Sequence, residues 1–252
     1  MEKSKQVNLN NKQGSIPPLI SIIIPTYNSA TILEDCLTSI FSQKEKRIQI
    51  IIIDGGSTDG TLDVIKKHQE HISYWVSEPD KGIYDAMNKG AKIANGKWVY
   101  FMGADDRLLH GFSEMAALFT DEDTLYYGDV ASNGEMLQGP FSNYRLAKYC
   151  MNHQTIFYPA RVFKKYTYSM RYKVYADYAL NLQVWGDRQI KKEYYPIKVV
   201  WYDLGGFSAT NNDELFKKEK PMLIQQSMGL LMYIRFLYKR LKEQSKPESN
   251  FF

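Results

Sequence analysis

Short apolar runs recur along the first hundred residues, and each is followed by a polar turn and then by a helical pattern. The runs lie at 19–24, 48–53 and 97–102. Their length and β-branched content suit strands that are buried on both faces of a sheet. Apolar residues at 30–43 and 83–94 recur at three- and four-residue steps, which predicts amphipathic helices. The alternation predicts the α/β class, with a Rossmann-like, mostly parallel central sheet flanked by helices.

Carboxylates follow two of these predicted strands. Asp54 comes directly after the second run, and Asp105 and Asp106 follow the third. Because parallel sheets bind ligands beyond the carboxyl ends of their strands, we expect these acids to share one site. A metal such as Mg²⁺ or Mn²⁺ held there could stabilise a diphosphate leaving group. A turn that caps the next helix is the structural alternative for the Asp-Asp pair, and Asp54 at a neighbouring strand end favours the site.

Composition and local patterns exclude several classes of function. The chain has 252 residues, 44% of them hydrophobic and 24% charged, which is enough to bury a core. Its net charge of +4 is too small to indicate a nucleic-acid partner. Cys36 and Cys150 make neither a disulfide framework nor a zinc cluster, and they fit a reducing compartment. The glycines at 55–60 do not match the dinucleotide fingerprint, because Ser57 stands where glycine is required.

The sequence also gives an expectation about location. Residues 1–14 are polar and contain no apolar segment of the kind found in a secretory leader. No run reaches the length of about 18 apolar residues that a membrane span needs. We therefore expect a cytoplasmic protein, with contact to the inner face of the cytoplasmic membrane as the only membrane role.

Four segments in the first half resemble the signature motifs of family 2 glycosyltransferases, which have the GT-A fold. They are Ser-Ile-Ile-Ile-Pro-Thr-Tyr-Asn at 21–28, Ile-Asp-Gly-Gly-Ser-Thr-Asp-Gly-Thr at 53–61, Ser-Glu-Pro-Asp-Lys-Gly-Ile-Tyr-Asp-Ala-Met-Asn-Lys-Gly at 77–90 and Phe-Met-Gly-Ala-Asp-Asp at 101–106. Their order and spacing agree with the family over residues 19–110. The third segment resembles a subgroup found in bacterial surface-polysaccharide assembly, including colanic-acid-type enzymes.

The resemblance implies a nucleotide-sugar donor, with a UDP-sugar favoured, and a divalent metal, Mg²⁺ or Mn²⁺. The donor-binding residues it implies are Pro25, Thr26, Tyr27, Asn28, Asp54, Gly55, Asp80, Lys81, Gly82, Tyr84, Asp85, Asn88, Asp105, His153 and Gln154, and the metal ligands are Asp105 and Asp106. Two positions depart from the family pattern. Gly55 replaces an aspartate that often recognises the base, and Gly103 replaces the first aspartate of the D-x-D motif.

The second half carries the acceptor chemistry that the resemblance implies. Tyr-Ala-Asp-Tyr at 175–178 resembles the family's catalytic-base motif, so Asp177 is the predicted general base. An acceptor hydroxyl is a poor nucleophile until a base takes its proton. The alternative for Asp177 is an acid that only stabilises the first turn of a helix. Met-Asn-His-Gln at 151–154 resembles a family segment before the base, and Gly-Gly-Phe-Ser at 205–208 is either a closing loop or a plain turn.

Residues 221–242 are predicted to form one amphipathic helix. Its apolar positions fall on one stripe: Leu223, Leu230, Ile234, Leu237 and Leu241. The basic residues in and before it are Lys217, Lys218, Lys220, Arg235, Lys239, Arg240 and Lys242. Such a helix packs on its own domain or on the second subunit of a homodimer, or it lies on an anionic membrane near a lipid-linked acceptor.

The predicted organisation is a polar tail at 1–18, a single GT-A domain at 19–210 and a C-terminal helix and tail at 211–252. The domain divides into a nucleotide-sugar-binding half at 19–110 and an acceptor half at 111–210. The predicted activity is metal-dependent, inverting sugar transfer to a saccharide or lipid-linked saccharide acceptor in cell-surface polysaccharide synthesis. Two alternatives stay open: a sugar nucleotidyltransferase, and a non-catalytic nucleotide-sugar-binding module of an assembly complex.

Overall fold

The computed structural model describes residues 6–9, 17–132, 135–136, 138–202 and 212–244. The strands are β1 (Gln6–Leu9), β2 (Ile20–Thr26), β3 (Ile48–Asp54), β4 (Tyr74–Ser77), β5 (Trp98–Phe101), β6 (Arg107–Leu108), β7 (Thr124–Ser132), β8 (Glu135–Met136), β9 (Ile156–Pro159) and β10 (Lys191–Trp201). The helices are α1 (Leu33–Phe41), α2 (Thr61–Lys67), α3 (Ile83–Ile93), α4 (Gly111–Ala116), α5 (Asn143–Lys148), α6 (Val162–Lys165), α7 (Ala176–Gly186), α8 (Glu214–Met228) and α9 (Leu230–Gln244), with a 3-10 turn at His153–Thr155.

Parallel strands form the half of the sheet that carries the sequence motifs. β4, β3, β2 and β5 lie side by side in that order, and each neighbouring pair is parallel. Ile23 of β2 faces a core shared with α3 and α7, whereas Ile22 and Ile24 face a second core that contains α1 and α4. Burial on both faces explains why the run in the sequence is continuously apolar.

The other half of the sheet mixes strand directions. β9 is antiparallel to both β5 and β7, and it therefore joins the two halves. β7 and β10 are parallel, and the short β6 is antiparallel to β10. The predicted α/β class with flanking helices is confirmed, and the parallel order applies to β4, β3, β2 and β5 rather than to the whole sheet.

The N-terminal segment contains a strand where a polar tail over 1–18 is predicted. Gln6–Leu9 pairs antiparallel with β4, which would otherwise be the edge of this part of the sheet. An edge strand presents a row of unpaired backbone groups that another segment can pair with. Because such pairing uses the backbone, the polar composition of the segment gives no signal for it.

Residues 212–244 form two helices, so the single helix predicted over 221–242 is wrong. α8 begins earlier, at Glu214, because the side chain of Asp213 accepts a hydrogen bond from the amide of Phe216 and caps the helix. The helix ends before Gly229, whose φ of +86° lies in the region that favours glycine. α9 starts at the next residue and can therefore take its own direction.

Burial also divides the apolar stripe predicted for this region. Leu223 is buried and Leu237 packs partly against the core, whereas Leu230, Ile234 and Leu241 are exposed. The stripe therefore does not form one face. Within the part of the chain that the structure describes, no helix is both long enough and apolar enough to cross a membrane.

Candidate active site

A cavity of about 380 Å³ opens where β2 and β5 end. Asp105, which follows β5, and Asp177, in the first turn of α7, both line it. Other lining residues include Pro25, Tyr84, His153 and Gln154. The cavity therefore brings together an acid predicted to bind the donor and the acid predicted to act as the general base.

The loop after β5 turns two carboxylates toward the same point. A Cβ added at Gly103 would lie 2.5 Å from Oδ1 of Asp105 and 2.5 Å from Oδ2 of Asp106. A side chain at position 103 would therefore displace the carboxylates. The glycine at the first position of the D-x-D motif is the residue that lets the two acids converge.

Gln154 links this acidic loop to the second half of the chain. Its Nε2 donates a hydrogen bond to Oδ2 of the buried Asp106. The backbone around it is fixed, because its amide donates to Oδ1 of Asn152 at 2.9 Å and its carbonyl accepts from the hydroxyl of Tyr100. Its Oε1 is buried without a hydrogen-bond partner. The structure thus places Gln154 at the site with one polar atom unsatisfied.

The residues around Gly103 fit a divalent cation. Among the described residues, no group of three or more His, Cys, Asp or Glu side chains could hold a metal by itself. Mg²⁺ commonly uses only one or two carboxylates, together with substrate phosphates. Asp105 and Asp106 provide two converging carboxylates, and the unpartnered Oε1 of Gln154 belongs to the same amide group as the Nε2 that faces Asp106. This all-oxygen set is the kind that Mg²⁺ and Mn²⁺ prefer.

Asp177 is held by three side chains from two other segments, α3 and residues 150–154. It is only 8% exposed, although it lines the cavity. The hydroxyl of Tyr84 donates to its Oδ1 at 3.0 Å, and Nδ1 of His153 lies 3.3 Å from its Oδ2. Sγ of Cys150 lies 3.9 Å from Oδ2. The first turn of α7 also favours a negative charge through the helix dipole, but a helix-stabilising acid would need neither the cavity nor these partners.

Tyr84 is placed beside the predicted base, although the resemblance implies a donor-binding role for it. Its hydroxyl lies 2.5 Å from the carbonyl oxygen of Val174 and 3.0 Å from Oδ1 of Asp177. Burial, and then the charge of Asp177, raises the pKa of Tyr84 well above its usual value. The hydroxyl therefore stays protonated and remains a hydrogen-bond donor.

Side-chain hydrogen bonds hold the loops after β2 and β3 together. Asn28, whose φ is +49°, accepts a hydrogen bond from the amide of Thr58 at 3.0 Å, and its own amide donates to Oγ of Ser57 at 2.8 Å. Asp59 accepts from the amide of Ala30 at 3.0 Å. These contacts cross between the two loops, so they fix the shape of the surface beyond both strand ends.

Asp54 organises the loop after β3. It is completely buried, and its carboxylate accepts hydrogen bonds from the amides of Gly56 and Ser57 at 3.0 Å each. The hydroxyls of Ser57 and Ser77 donate to it as well, the second at 2.6 Å. Because the side chain is completely buried and both of its oxygens accept hydrogen bonds from neighbouring groups, Asp54 lies beneath the loop and is not among the residues that line the cavity.

The side chains of Thr26 and Asn88 also form hydrogen bonds to backbone groups of the fold. The buried hydroxyl of Thr26 donates to the carbonyl of Ile53 at 3.5 Å. Nδ2 of Asn88 donates to the carbonyl of Tyr168, and its Oδ1 accepts from the amide of Tyr168, both at 2.9 Å. Asn88 therefore connects α3 to the segment before α7, because both polar groups of its side chain form hydrogen bonds to the backbone of Tyr168.

Tyr27, Gly55 and Asp80 meet at the surface of the same loops. A Cβ added at Gly55 would lie 2.9 Å from Oδ2 of Asp80 and 3.3 Å from Cδ2 of Tyr27. The carboxylate of Asp80 thus lies beside the position where the family often has its second aspartate. Burial raises the pKa of Asp80, while the amide of Gly82 donates to its Oδ1 at 2.8 Å. An exposed aromatic ring beside a carboxylate suits a planar, polar base.

The segment before α3 contains the other predicted donor contacts. Gly82 has a φ of +108°, which only glycine adopts readily. The backbone amide of Lys81 donates to Oδ2 of Asp85 at 3.2 Å, and Asp85 also pairs with Lys89 at 3.2 Å. Asp85 therefore stabilises the turn, whereas the side chain of Lys81 is exposed.

Several cavity residues are missed by sequence reasoning. Cys150, Val174, Tyr175 and Tyr202 line the cavity, and none of them is predicted to belong to the site. They lie in irregular segments or at element ends, where hydrophobic periodicity carries no signal. The predicted loop at 205–208 lies outside the described residues.

Known proteins share both the sequence pattern and the fold. The profile of glycosyl transferase family 2 matches residues 21–181, which is more than half of the chain. The PGL/p-HBAD biosynthesis glycosyltransferase of Mycobacterium tuberculosis is 34% identical over 229 residues, covering 86% of this chain and 90% of that protein. The chain belongs to glycosyltransferase family 2. The putative teichuronic acid biosynthesis glycosyltransferase TuaG of Bacillus subtilis is 36% identical over a shorter stretch of 93 residues, which is 36% of this chain and 37% of TuaG.

Solved glycosyltransferase structures confirm the predicted GT-A fold. S. aureus TarS 1–349 in complex with UDP-GlcNAc has a TM-score of 0.64 and 18% identity, covering 89% of this chain and 77% of that one. The mannosyltransferase PcManGT from Pyrobaculum calidifontis, in complex with GDP-Man and Mn²⁺, has a TM-score of 0.61 and 14% identity, covering 92% and 82%. The longer TarS chain is matched over 46% of its length.

Proposed function

We propose that this family 2 glycosyltransferase moves one sugar, with inversion, from a UDP-sugar to a saccharide or lipid-linked saccharide acceptor in cell-surface polysaccharide synthesis. The observation that carries the proposal is the single cavity lined by both Asp105 and Asp177. Inversion requires the acceptor hydroxyl to attack from the face opposite the leaving diphosphate. An acidic loop for the donor and a separate buried acid in the same cavity support this arrangement.

In the proposed complex, the donor lies across the ends of β2, β3 and β5. The exposed ring of Tyr27 supports the base, and the carboxylate of Asp80 accepts its polar hydrogen in the space left by Gly55. The exposed side chain of Lys81 approaches the diphosphate. A divalent cation, Mg²⁺ or Mn²⁺, bound by Asp105 and Asp106 would offset the charge that develops on the departing diphosphate.

The proposed role of Asp177 is to take the proton from the acceptor hydroxyl. As the hydroxyl oxygen bonds to the anomeric carbon, the bond from that carbon to the diphosphate oxygen breaks, the proton moves to Asp177 and the nucleoside diphosphate leaves. General-base catalysis of this kind contributes about 10²–10⁴-fold. Tyr84 and His153 hold the two oxygens of Asp177 in place, so the carboxylate keeps one orientation toward the cavity.

Relatives support the choice of donor and acceptor class. TarS binds UDP-GlcNAc in a structure of similar fold, which favours uridine, whereas PcManGT shows that GDP-sugars occur on this fold as well. The names of the curated relatives refer to PGL/p-HBAD and teichuronic acid biosynthesis, which supports a surface glycan or glycolipid acceptor. Two free thiols fit the reducing cytoplasm, where we place the reaction.

Thermal unfolding with a panel of UDP-, GDP-, dTDP- and CMP-sugars, each with and without Mn²⁺, tests the proposal. We expect a UDP-sugar to raise Tm only when the metal is present, by the equivalent of about 2.7 kcal/mol at a 100-fold excess over Kd. Asp105→Asn should abolish the metal-dependent part of the shift. Asp63→Asn, a change at an exposed acid in the first turn of α2, is the matched control and should leave the shift intact.

The same samples separate this function from its alternatives. Release of UDP, with water or a sugar as acceptor, supports a transferase. Release of pyrophosphate from a nucleoside triphosphate would indicate a sugar nucleotidyltransferase instead. Donor binding without turnover for any acceptor would indicate a non-catalytic binding module, and an equal Tm shift in Asp105→Asn would contradict the proposed metal site.

A further inference from the structure

Helix α9 carries an exposed apolar face. Leu231 is 86% exposed, Leu241 70%, Tyr238 68%, Leu230 57% and Ile234 53%. At about 100° per residue, these five side chains form one continuous arc of the helix. Soluble proteins seldom expose contiguous apolar surface of this kind unless it binds something.

Basic residues follow this apolar arc on one side. Lys242 and Arg235 come next on the helical wheel, and both are exposed. The sequence of α9 contains four basic residues and one acidic residue, Glu243. Glu243 pairs with Lys148 of α5 at 3.2 Å and with Lys239 at 3.1 Å, so the helix's one acid is already neutralised. The outward surface of α9 is therefore apolar and cationic.

The opposite side of α9 fixes it to the catalytic domain. Phe236 is buried in the core, and Glu243 pairs with Lys148 at the end of α5 at 3.2 Å. Arg235, on the basic flank, also places its guanidinium 4.2 Å from the ring centroid of Tyr144 on α5. α5 ends at Lys148 and leads directly into the 150–154 segment that lines the cavity. The exposed face is thus carried by a helix that packs on the domain, with contacts next to the predicted acceptor side of the site.

We propose that α9 lies on an anionic lipid bilayer, with its apolar arc inserted among the lipids and its basic flank against the headgroups. A helix with a mixed apolar and basic outward face binds such surfaces through buried apolar area and electrostatic attraction. A second copy of the chain fits less well, because a two-fold contact through this face would bring the basic flank toward its own counterpart. This proposal rests on the proposed function, in which the acceptor is lipid-linked. Binding to the bilayer would bring the enzyme to that acceptor.

Vesicle flotation of the full chain tests the membrane contact without donor or acceptor. We expect binding to vesicles of equimolar phosphatidylglycerol and phosphatidylcholine, and binding at least about tenfold weaker to pure phosphatidylcholine. Leu231→Gln/Ile234→Gln should weaken binding to the anionic vesicles at least about tenfold. Ile32→Gln, at an isoleucine that is 38% exposed before α1, is the matched control and should bind as the unaltered protein does.

Each outcome decides the proposal. Circular dichroism and thermal unfolding first establish that the double variant is folded. Failure of the unaltered protein to float with anionic vesicles, or equal binding by the double variant and Ile32→Gln, overturns it. A concentration-dependent dimer in light scattering that the double variant abolishes, without vesicle binding, would assign the face to a second copy. UDP release measured without vesicles is independent of this result, so a failure here leaves the transfer reaction standing.

Discussion

The donor loops and the surroundings of Asp177 differ in whether their polar side chains reach the cavity. In the loops after β2 and β3, the side chains of Asp54 and Asn28 accept hydrogen bonds from backbone amides of the loop after β3. Around the base, Asp177 and His153 pair with each other but still line a shared cavity, and Gln154 keeps a buried oxygen unsatisfied. The first region is therefore a preformed frame, whereas the second has polar groups that a substrate would complete.

This difference predicts two kinds of variant. Changes in the loops after β2 and β3 should lower the free energy of unfolding. They should affect the reaction only because the donor-binding surface loses its shape. Changes around the base should lower turnover while the fold and donor binding persist.

The largest effect is expected for Asp177→Asn. The amide keeps the shape of the side chain but cannot take a proton, so kcat should fall about 10²–10⁴-fold, which corresponds to roughly 3–5 kcal/mol in the barrier. Saturating donor, with release of UDP as the readout, measures the change, and a donor titration should give the Kd of the unaltered protein. Asp63→Asn is the control, and full activity in Asp177→Asn would refute the base assignment.

Asp54→Ala should have the next largest effect, on stability. The change removes a buried acceptor that receives four hydrogen bonds from Gly56, Ser57 and Ser77. It leaves the buried hydroxyl of Ser77 and the half-buried donors of Gly56 and Ser57 without that acceptor. We expect the free energy of unfolding to fall by about 3 kcal/mol in urea denaturation. Lost donor binding with unchanged stability would instead mean that Asp54 contacts the nucleotide.

Lys220→Met should raise stability at neutral pH. Lys220 is 1% exposed, its Nζ lies 4.6 Å from the ring centroid of Tyr178, and it donates to the carbonyl of Lys148 at 3.4 Å. Burial lowers its pKa to about 8, helped by the charge of Arg240 and opposed by Cys150. Since the folded state disfavours the charged form, the penalty is complete below about pH 8 and disappears as the pH rises through the unfolded value.

The pH profile checks this prediction. The free energy of unfolding of the unaltered protein should gain a contribution that rises with pH from about 8 to above 10, because the unfolded state binds more protons there. Lys220→Met should lack that slope and be more stable by about 2 kcal/mol at pH 7. A less stable variant would show that the ring contacts of Lys220 outweigh its desolvation.

Tyr84→Phe should have the smallest effect. It removes the hydroxyl that donates to Asp177 at 3.0 Å but keeps the buried ring. A hydrogen bond of this kind is worth about 1 kcal/mol, so kcat should fall roughly fivefold while KM for the donor stays constant. A raised KM for the donor with unchanged kcat would instead support the donor-binding role that the family resemblance implies for Tyr84.

The sequence predicts the elements of the site better than the partners of each side chain. The position of Asp54 at a strand end follows from the apolar run before it, but its serine and glycine partners depend on how two loops meet. Tyr84 lies on a predicted helix, yet its contact with Asp177 joins residues 93 positions apart. Such distances are set by tertiary packing, which local periodicity does not encode.

At the helix break at Gly229, by contrast, the sequence does contain a local signal, the glycine itself. The apolar spacing on both sides points to one helix and outweighs it. The apolar positions on both sides keep three- and four-residue steps, which favours one long helix. Glycine is a common helix end because it adopts a positive φ, and here it does so at +86°. The glycine at 229 therefore indicates the boundary between α8 and α9, which the apolar spacing does not.

A crystal structure of the protein with a UDP-sugar and Mn²⁺ tests the central claim most directly. The claim is that the donor loop and the base meet in one cavity. The predicted result is an anomalous manganese peak at Asp105 and Asp106, with the sugar in the cavity and its anomeric carbon facing Asp177. A metal bound elsewhere, or a sugar separated from Asp177 by protein, would contradict the account.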